Sequence, residues 1–138
     1  MQSQTSKNLL TAMHGEAFAF AKYSLFAEQA RKGGNVKLAE LFEQTARVER
    51  LEHFSEEAQL AGIVGTDAEN LRDALAGENA EIETMYREFA EQADVAGDSV
   101  AAERFREIRG DEMGHRDAFR SSLQELDRQS VRPLAPSV

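Results

Sequence analysis

An internal duplication constrains this chain more than any other feature. Asn8–Glu16 reads NLLTAMHGE and Asn70–Glu78 reads NLRDALAGE, an offset of 62 positions. FAEQA occurs at Phe26–Ala30 and again at Phe89–Ala93, now offset by 63. GNVKLAELF (Gly34–Phe42) matches GDSVAAERF (Gly97–Phe105), and Glu49 matches Glu112, at the same offset of 63. One unit of about 60 residues is therefore present twice.

Each unit reads as two helices joined by a turn. Both prolines, Pro133 and Pro136, fall in the last six of 138 residues, so no interior breaker interrupts long helices. Thr5 or Ser6 is a candidate cap for a helix running to about Lys32, which Gly33-Gly34 breaks. Asn35 starts a second helix to about Ala61. Thr66 or Asp67 caps a third to about Val95, Gly97-Asp98 breaks it, and a fourth runs to about Leu126. The expected architecture is all-α: a four-helix bundle over residues 1–126, built from hairpins 5–61 and 67–126, with a flexible tail at 127–138.

The change of offset is itself informative. Glu16 to Tyr23 is seven residues, whereas Glu78 to Tyr86 is eight. One extra residue inside a helix predicts a π-bulge between Glu78 and Tyr86, a distortion frequent at functional sites.

Charge and composition exclude several functions. The formal net charge is −9 and no basic stripe is present, which argues against nucleic acid as a partner. No apolar run approaches the ~18 residues of a membrane span. The polar stretch Met1–Asn8 lacks the apolar segment of a signal peptide, and a cytoplasmic location is expected. With no cysteine, these residues hold no disulfide, thiolate zinc site, iron–sulfur cluster or thiol nucleophile.

Acidic residues nevertheless occupy the apolar stripes. In the fourth helix Glu112 and His115 interrupt a row of Phe105, Ile108, Phe119, Leu123 and Leu126. In the second, Glu49 and Glu52 lie between Leu38, Phe42 and Thr45 on one side and Leu60 and Ile63 on the other. Glu16 shares a face with Ala12, Ala19 and Tyr23, and Glu78 with Leu71, Ala74, Leu75 and Met85; Glu81 follows one turn on. Several carboxylates in one layer repel each other unless cations neutralise them. One Glu from each of two helices, with Glu-x-x-His from the other two, is the pattern of carboxylate di-iron bundles. Glu112-Met-Gly-His115 satisfies it; the second helix offers Glu49-Arg-Leu-Glu52-His53, with glutamate where the repeat places histidine and His53 one step further. The i+3 spacing favours Glu52 as the ligand and leaves His53 as the alternative. A solvated acidic surface is the bland reading, and a metal-free helical interaction module its functional form.

The stretches HGEAFAFAKYSLFAEQA (His14–Ala30), LAGENAEIETMYREFAEQA (Leu75–Ala93) and DEMGHRDAF (Asp111–Phe119) resemble the rubrerythrin family, and the resemblance runs from about Asn8 to Leu126. It implies a ferritin-like bundle holding two iron ions, with reduction of hydrogen peroxide or reaction with O2 as the activity. By that resemblance Glu16, Glu49, Glu78, Glu81, Glu112 and His115 match metal-ligand positions, and Tyr23 and Tyr86 match tyrosines that hydrogen-bond to ligand carboxylates. Glu52 stands where the family usually has a second histidine. The rubredoxin-like domain of the family is missing from this chain, so a separate electron-donor protein is expected. Oxygen-rich ligands also suit manganese. Ferroxidase activity for iron handling is the alternative function. Finally, Glu49 lies 12 residues before Ala61, and Glu78 lies 11 after Asp67. Those arms sum to roughly 34 Å of helix, more than the roughly 20 Å that Gly62–Thr66 can span. Hairpins exchanged between two copies, in a homodimer, meet that constraint.

Overall fold

Four long helices follow one another with tight connections in a computed structural model that describes residues 2–131. The first helix is Ser3–Lys32. The second occupies 36–61 as Val36–Val48, a π-helical segment Glu49–Phe54, and Ser55–Ala61. The third occupies 67–96 as Asp67–Ala80, a π segment Glu81–Met85, and Tyr86–Ala96. The fourth is Ser99–Val131. No strand occurs among the described residues. The chain divides between Val64 and Gly65 into two compact units, one hairpin each.

Local chemistry accounts for the element ends. Gly34 adopts a left-handed φ of +78°, a turn conformation that side chains disfavour, and Asn35 then caps the second helix by accepting the Leu38 N–H at 3.2 Å. Thr66 opens the third with a full capping box: its hydroxyl accepts the Glu69 N–H, and the Glu69 carboxylate accepts the Thr66 N–H at 2.8 Å. Gly97, at φ +81°, turns the second hairpin. The first helix begins two residues before Thr5, at Ser3, with Gln2 at the cap position and no side-chain cap bond. Nothing upstream breaks the helix, so it extends past the expected start. The fourth continues five residues past Leu126 to Val131; the remainder of the expected tail, 132–138, lies outside the described residues.

Alanines bring the paired helices together. Ala27, Ala30 and Ala39 are buried in the first hairpin, and their repeat partners Ala90, Ala93 and Ala102 in the second. Small side chains allow close backbone approach, and larger ones pack beside the seam. Tyr23, Phe26 and Phe42 form an aromatic trio, with Tyr23 stacked on Phe42 at 6.1 Å between centroids. Tyr86, Phe89 and Phe105 repeat it, with Tyr86 and Phe105 at 6.2 Å. Near each turn an arginine joins the two helices: Arg31 grips Glu43 through two 2.7 Å hydrogen bonds, and Arg106 pairs with Asp94. The duplication read from sequence thus persists in packing.

Candidate metal centre

Each hairpin gathers two glutamates and a histidine at mid-height. In the first hairpin, Glu16 comes from the first helix, while Glu49 and His53 come from the π segment of the second. His53 Nδ1 lies 2.7 Å from Glu49 Oε2 and 3.8 Å from Glu16 Oε2. In the second hairpin, Glu78 comes from the third helix, Glu112 and His115 from the fourth. His115 Nδ1 lies 2.5 Å from Glu112 Oε2 and 3.9 Å from Glu78 Oε1. The ligating atoms of each triad fall within 4.8 Å of one another.

The electrostatics of the two triads match. Glu16 holds its proton above the ordinary carboxylate range, first because partial burial disfavours the charge, then through a hydrogen bond and repulsion from Glu49. Glu78 is raised for the same reasons, with Glu112 in the role of Glu49. His53 and His115 are shifted up by their hydrogen bonds to Glu49 and Glu112. Glu78 Oε2 is buried with no hydrogen-bond partner, an orphaned acceptor that a metal ion would satisfy. Carboxylate and imidazole donors without thiolate suit iron or manganese. The residues present therefore fit the metal that their arrangement implies.

The π segments decide which side chains reach the triads. The predicted bulge between Glu78 and Tyr86 is present, at Glu81–Met85. A second, at Glu49–Phe54, was not anticipated. It lets His53, four residues after Glu49, take the place that His115 takes three residues after Glu112. Glu52, favoured from the i+3 spacing, is exposed and stands outside the triad. The signal was in the sequence: the offset is 63 at Glu49 and Glu112 but 62 at His53 and His115. That is the same one-residue change that located the other bulge.

The remaining candidates lie nearby. Glu81 opens the third-helix π segment, half-buried; its charge acts on Glu78 and on Tyr86. Tyr23 and Tyr86 are half-buried in their aromatic trios. Among the described residues neither hydroxyl hydrogen-bonds to a carboxylate, and burial, then Glu81 and Glu112, push the Tyr86 phenol up. Glu57 was missed. Four residues beyond His53, its Oε2 is buried without a partner, and its charge helps raise Glu16. No repeat signal marks it, because the position 62 residues on is Phe119.

Comparison with known proteins agrees with this geometry. The family model for rubrerythrin matches residues 7–53 and 48–123. A rubrerythrin of Porphyromonas gingivalis is 39% identical over 94% of this chain and 70% of its own length. A rubrerythrin of Nitratidesulfovibrio vulgaris is 37% identical over 85% of this chain and 68% of its own. A putative rubrerythrin of Methanocaldococcus jannaschii is 30% identical over 93% and 73%. The family uses di-iron centres, and each of the two carboxylate–histidine triads could hold a metal ion. This chain belongs to the rubrerythrin family.

Proposed function

We propose that the protein reduces hydrogen peroxide at a dinuclear metal centre built from such glutamate–histidine triads, with electrons from a separate donor protein. The observation that carries the reading is the near-identity of the triads: the same three residue types at matching distances, 2.7 and 3.8 Å in one and 2.5 and 3.9 Å in the other. Two ferrous ions held there would supply two electrons and Lewis acidity for cleavage of the peroxide O–O bond. The balance is H2O2 with two protons and two electrons giving two waters.

The protein's own contributions follow from its side chains. Glu49 and Glu112, each hydrogen-bonded to the glutamate and the histidine of its triad, would be the carboxylates shared between the metals. Glu16 and Glu78 would act as terminal ligands, and His53 and His115 would ligate through nitrogen in their neutral form. Glu81 makes the two metal environments unequal, since the first helix has no counterpart to it. Tyr23 and Tyr86, the tyrosines that the family resemblance pairs with ligand carboxylates, are held in their aromatic trios and would turn their hydroxyls toward those carboxylates to orient them.

A homodimer with exchanged hairpins is part of the proposal. The helix ends at Ala61 and Asp67 leave the five-residue link that is too short for an antiparallel crossover within one chain. The hairpins also leave large apolar side chains uncovered, among them Phe18 at 68% and Leu51 at 56% exposure. Sedimentation as a monomer of the 15.3 kDa chain would remove this part.

The test is anaerobic loading with Fe(II), then titration with peroxide. About two irons per centre, oxidised by one peroxide each pair and restored by an added reductant, support the reading. Continued uptake of iron beyond two per centre points to iron handling instead. An unchanged melting temperature on adding Fe(II) or Mn(II) returns the chain to a metal-free interaction module. Glu81→Ala should slow peroxide turnover while the triads still take metal.

A further inference from the structure

We infer that Arg109 is a positioning residue that pins the third-helix π segment, and through it Glu81, in register with the metal site. In a regular α-helix the Tyr86 N–H bonds to the Ile82 carbonyl four residues back. Here it bonds to the Glu81 carbonyl instead. The Ile82 carbonyl is thereby skipped by its own helix. It lies in a buried stretch of the hairpin, for Ile82 is 1% exposed. A buried carbonyl without a donor is costly. Arg109, half-buried on the fourth helix one turn before Glu112, fills the gap: its Nε–H donates to Ile82 O at 2.7 Å. The first hairpin solves the same problem differently. There the Ser55 N–H turns to Glu52 O, and the Ser55 hydroxyl donates to Arg50 O at 2.9 Å.

The consequence for the site follows from helix geometry. An extra residue can in principle sit anywhere along a helix, and a π-bulge that moves rotates each residue it passes by about 100°. Movement toward the N-terminus would carry Glu81 off its face. Movement toward the C-terminus would carry Tyr86 out of its trio with Phe89 and Phe105. A charged donor fixed on the neighbouring helix favours one placement, the one that leaves Ile82 O exposed to it. Repeat positions offer no equivalent: 63 residues before Arg109 is Ala46, which is buried. The role in metal binding rests on the function proposed above, whereas the pinning of the bulge does not.

Two variants test this: Arg109→Met, which keeps the stem and removes the donor, and Arg109→Lys, which restores a charged donor. Both are compared with the wild type by circular dichroism, by amide hydrogen exchange, and by the ligand-field spectrum of the Co(II)-loaded protein. Arg109→Met should retain helicity yet exchange its amides from Ile82 to Arg87 faster, by on the order of tenfold, with the first hairpin unchanged. Its Co(II) spectrum should shift, and Arg109→Lys should recover both signals. Unchanged exchange in Arg109→Met overturns the pinning. Faster exchange with an unchanged Co(II) spectrum overturns the link to the metal site. A wild type that binds no Co(II) would sink the proposed function, and the exchange data would still decide whether the bulge is pinned.

Discussion

Removing Glu52 altogether should leave the metal site intact, although deleting a residue from the middle of a helix is normally destructive. In an α-helix a one-residue deletion turns everything beyond it by about 100° and draws it back about 1.5 Å. The second helix differs because Glu49–Phe54 already holds one residue more than an α-helix needs. Without Glu52, His53 becomes the third residue after Glu49, the spacing that Glu112 and His115 use in a regular helix at 2.5 Å. Ser55 becomes the fourth residue after Arg50, so its hydroxyl, now 2.9 Å from that carbonyl, keeps a bond that serines commonly make in α-helices. Glu52 is exposed, so little packing is lost, and we expect a cost of no more than about 1 kcal/mol. The control is deletion of Met113 in the fourth helix, where no π segment absorbs the change. That swings His115 off its face and misplaces Phe119, Leu123 and Leu126 behind it, at roughly 2–5 kcal/mol for each apolar side chain lost from a core. The assay is Mn(II) or Co(II) stoichiometry and affinity, with melting temperature alongside. Affinity within about threefold of wild type, near 0.6 kcal/mol, is expected for the Glu52 deletion and loss of binding for the Met113 deletion. If deleting Glu52 abolishes binding as the control does, then Glu52 is a ligand or the π segment does more than restore register, and the reasoning fails.

Other expectations follow from the same structure. Glu16, Glu78, His53 and His115 all bind protons more tightly in the fold than their ordinary values of 4.5 and 6.5 allow. Their stabilisation is therefore complete below those values and is lost as pH rises through the raised ones, so the chelator-treated protein should melt lower at about pH 8 than at about pH 5. Metal displaces these protons, and the gap in melting temperature between metal-loaded and metal-free protein should widen over that range; a constant gap would contradict the assignment. Glu57→Leu removes a carboxylate with a buried, unpartnered oxygen and should stabilise the metal-free protein by about 1 kcal/mol in urea unfolding, whereas destabilisation would mean that the group is satisfied. Thr66→Ala breaks the capping box and should cost about 1 kcal/mol in the same measurement.

The helices and their hairpin pairing were legible because they rest on local signals repeated twice. Gly33-Gly34, Asn35, Thr66 and Gly97 punctuate the chain where the structure turns, and the recurring alanines and aromatics fall on matching faces. The clustering of Glu16, Glu49, Glu78, Glu112 and His115 was legible because charge in an apolar stripe is costly without a partner. His53 was harder. Periodicity at i+3 presumes 3.6 residues per turn, and the stretch Glu49–Phe54 does not keep that pitch. Glu57 and Arg109 were out of reach for another reason. An orphaned oxygen and a donor to a skipped carbonyl are properties of the folded backbone, and neither residue recurs in the repeat.

The two bulges also explain how a duplicated chain comes to hold two unequal hairpins. The first hairpin carries its π segment in its second helix, the second hairpin in its first. Each hairpin thus pairs one regular helix with one that holds an extra residue, but in opposite order. In the first hairpin the extra residue restores a histidine to the triad. In the second the triad is already complete at i+3, and the bulge begins at Glu81 instead, adding a carboxylate next to Glu78 that the first hairpin has no means of placing there. A single inserted residue changes which side chain joins the triad without disturbing the alanine seam, since Ala90, Ala93 and Ala102 keep the register of Ala27, Ala30 and Ala39. The duplication therefore sets the common Glu/Glu/His frame, and the placement of one residue in each copy sets the difference between its halves.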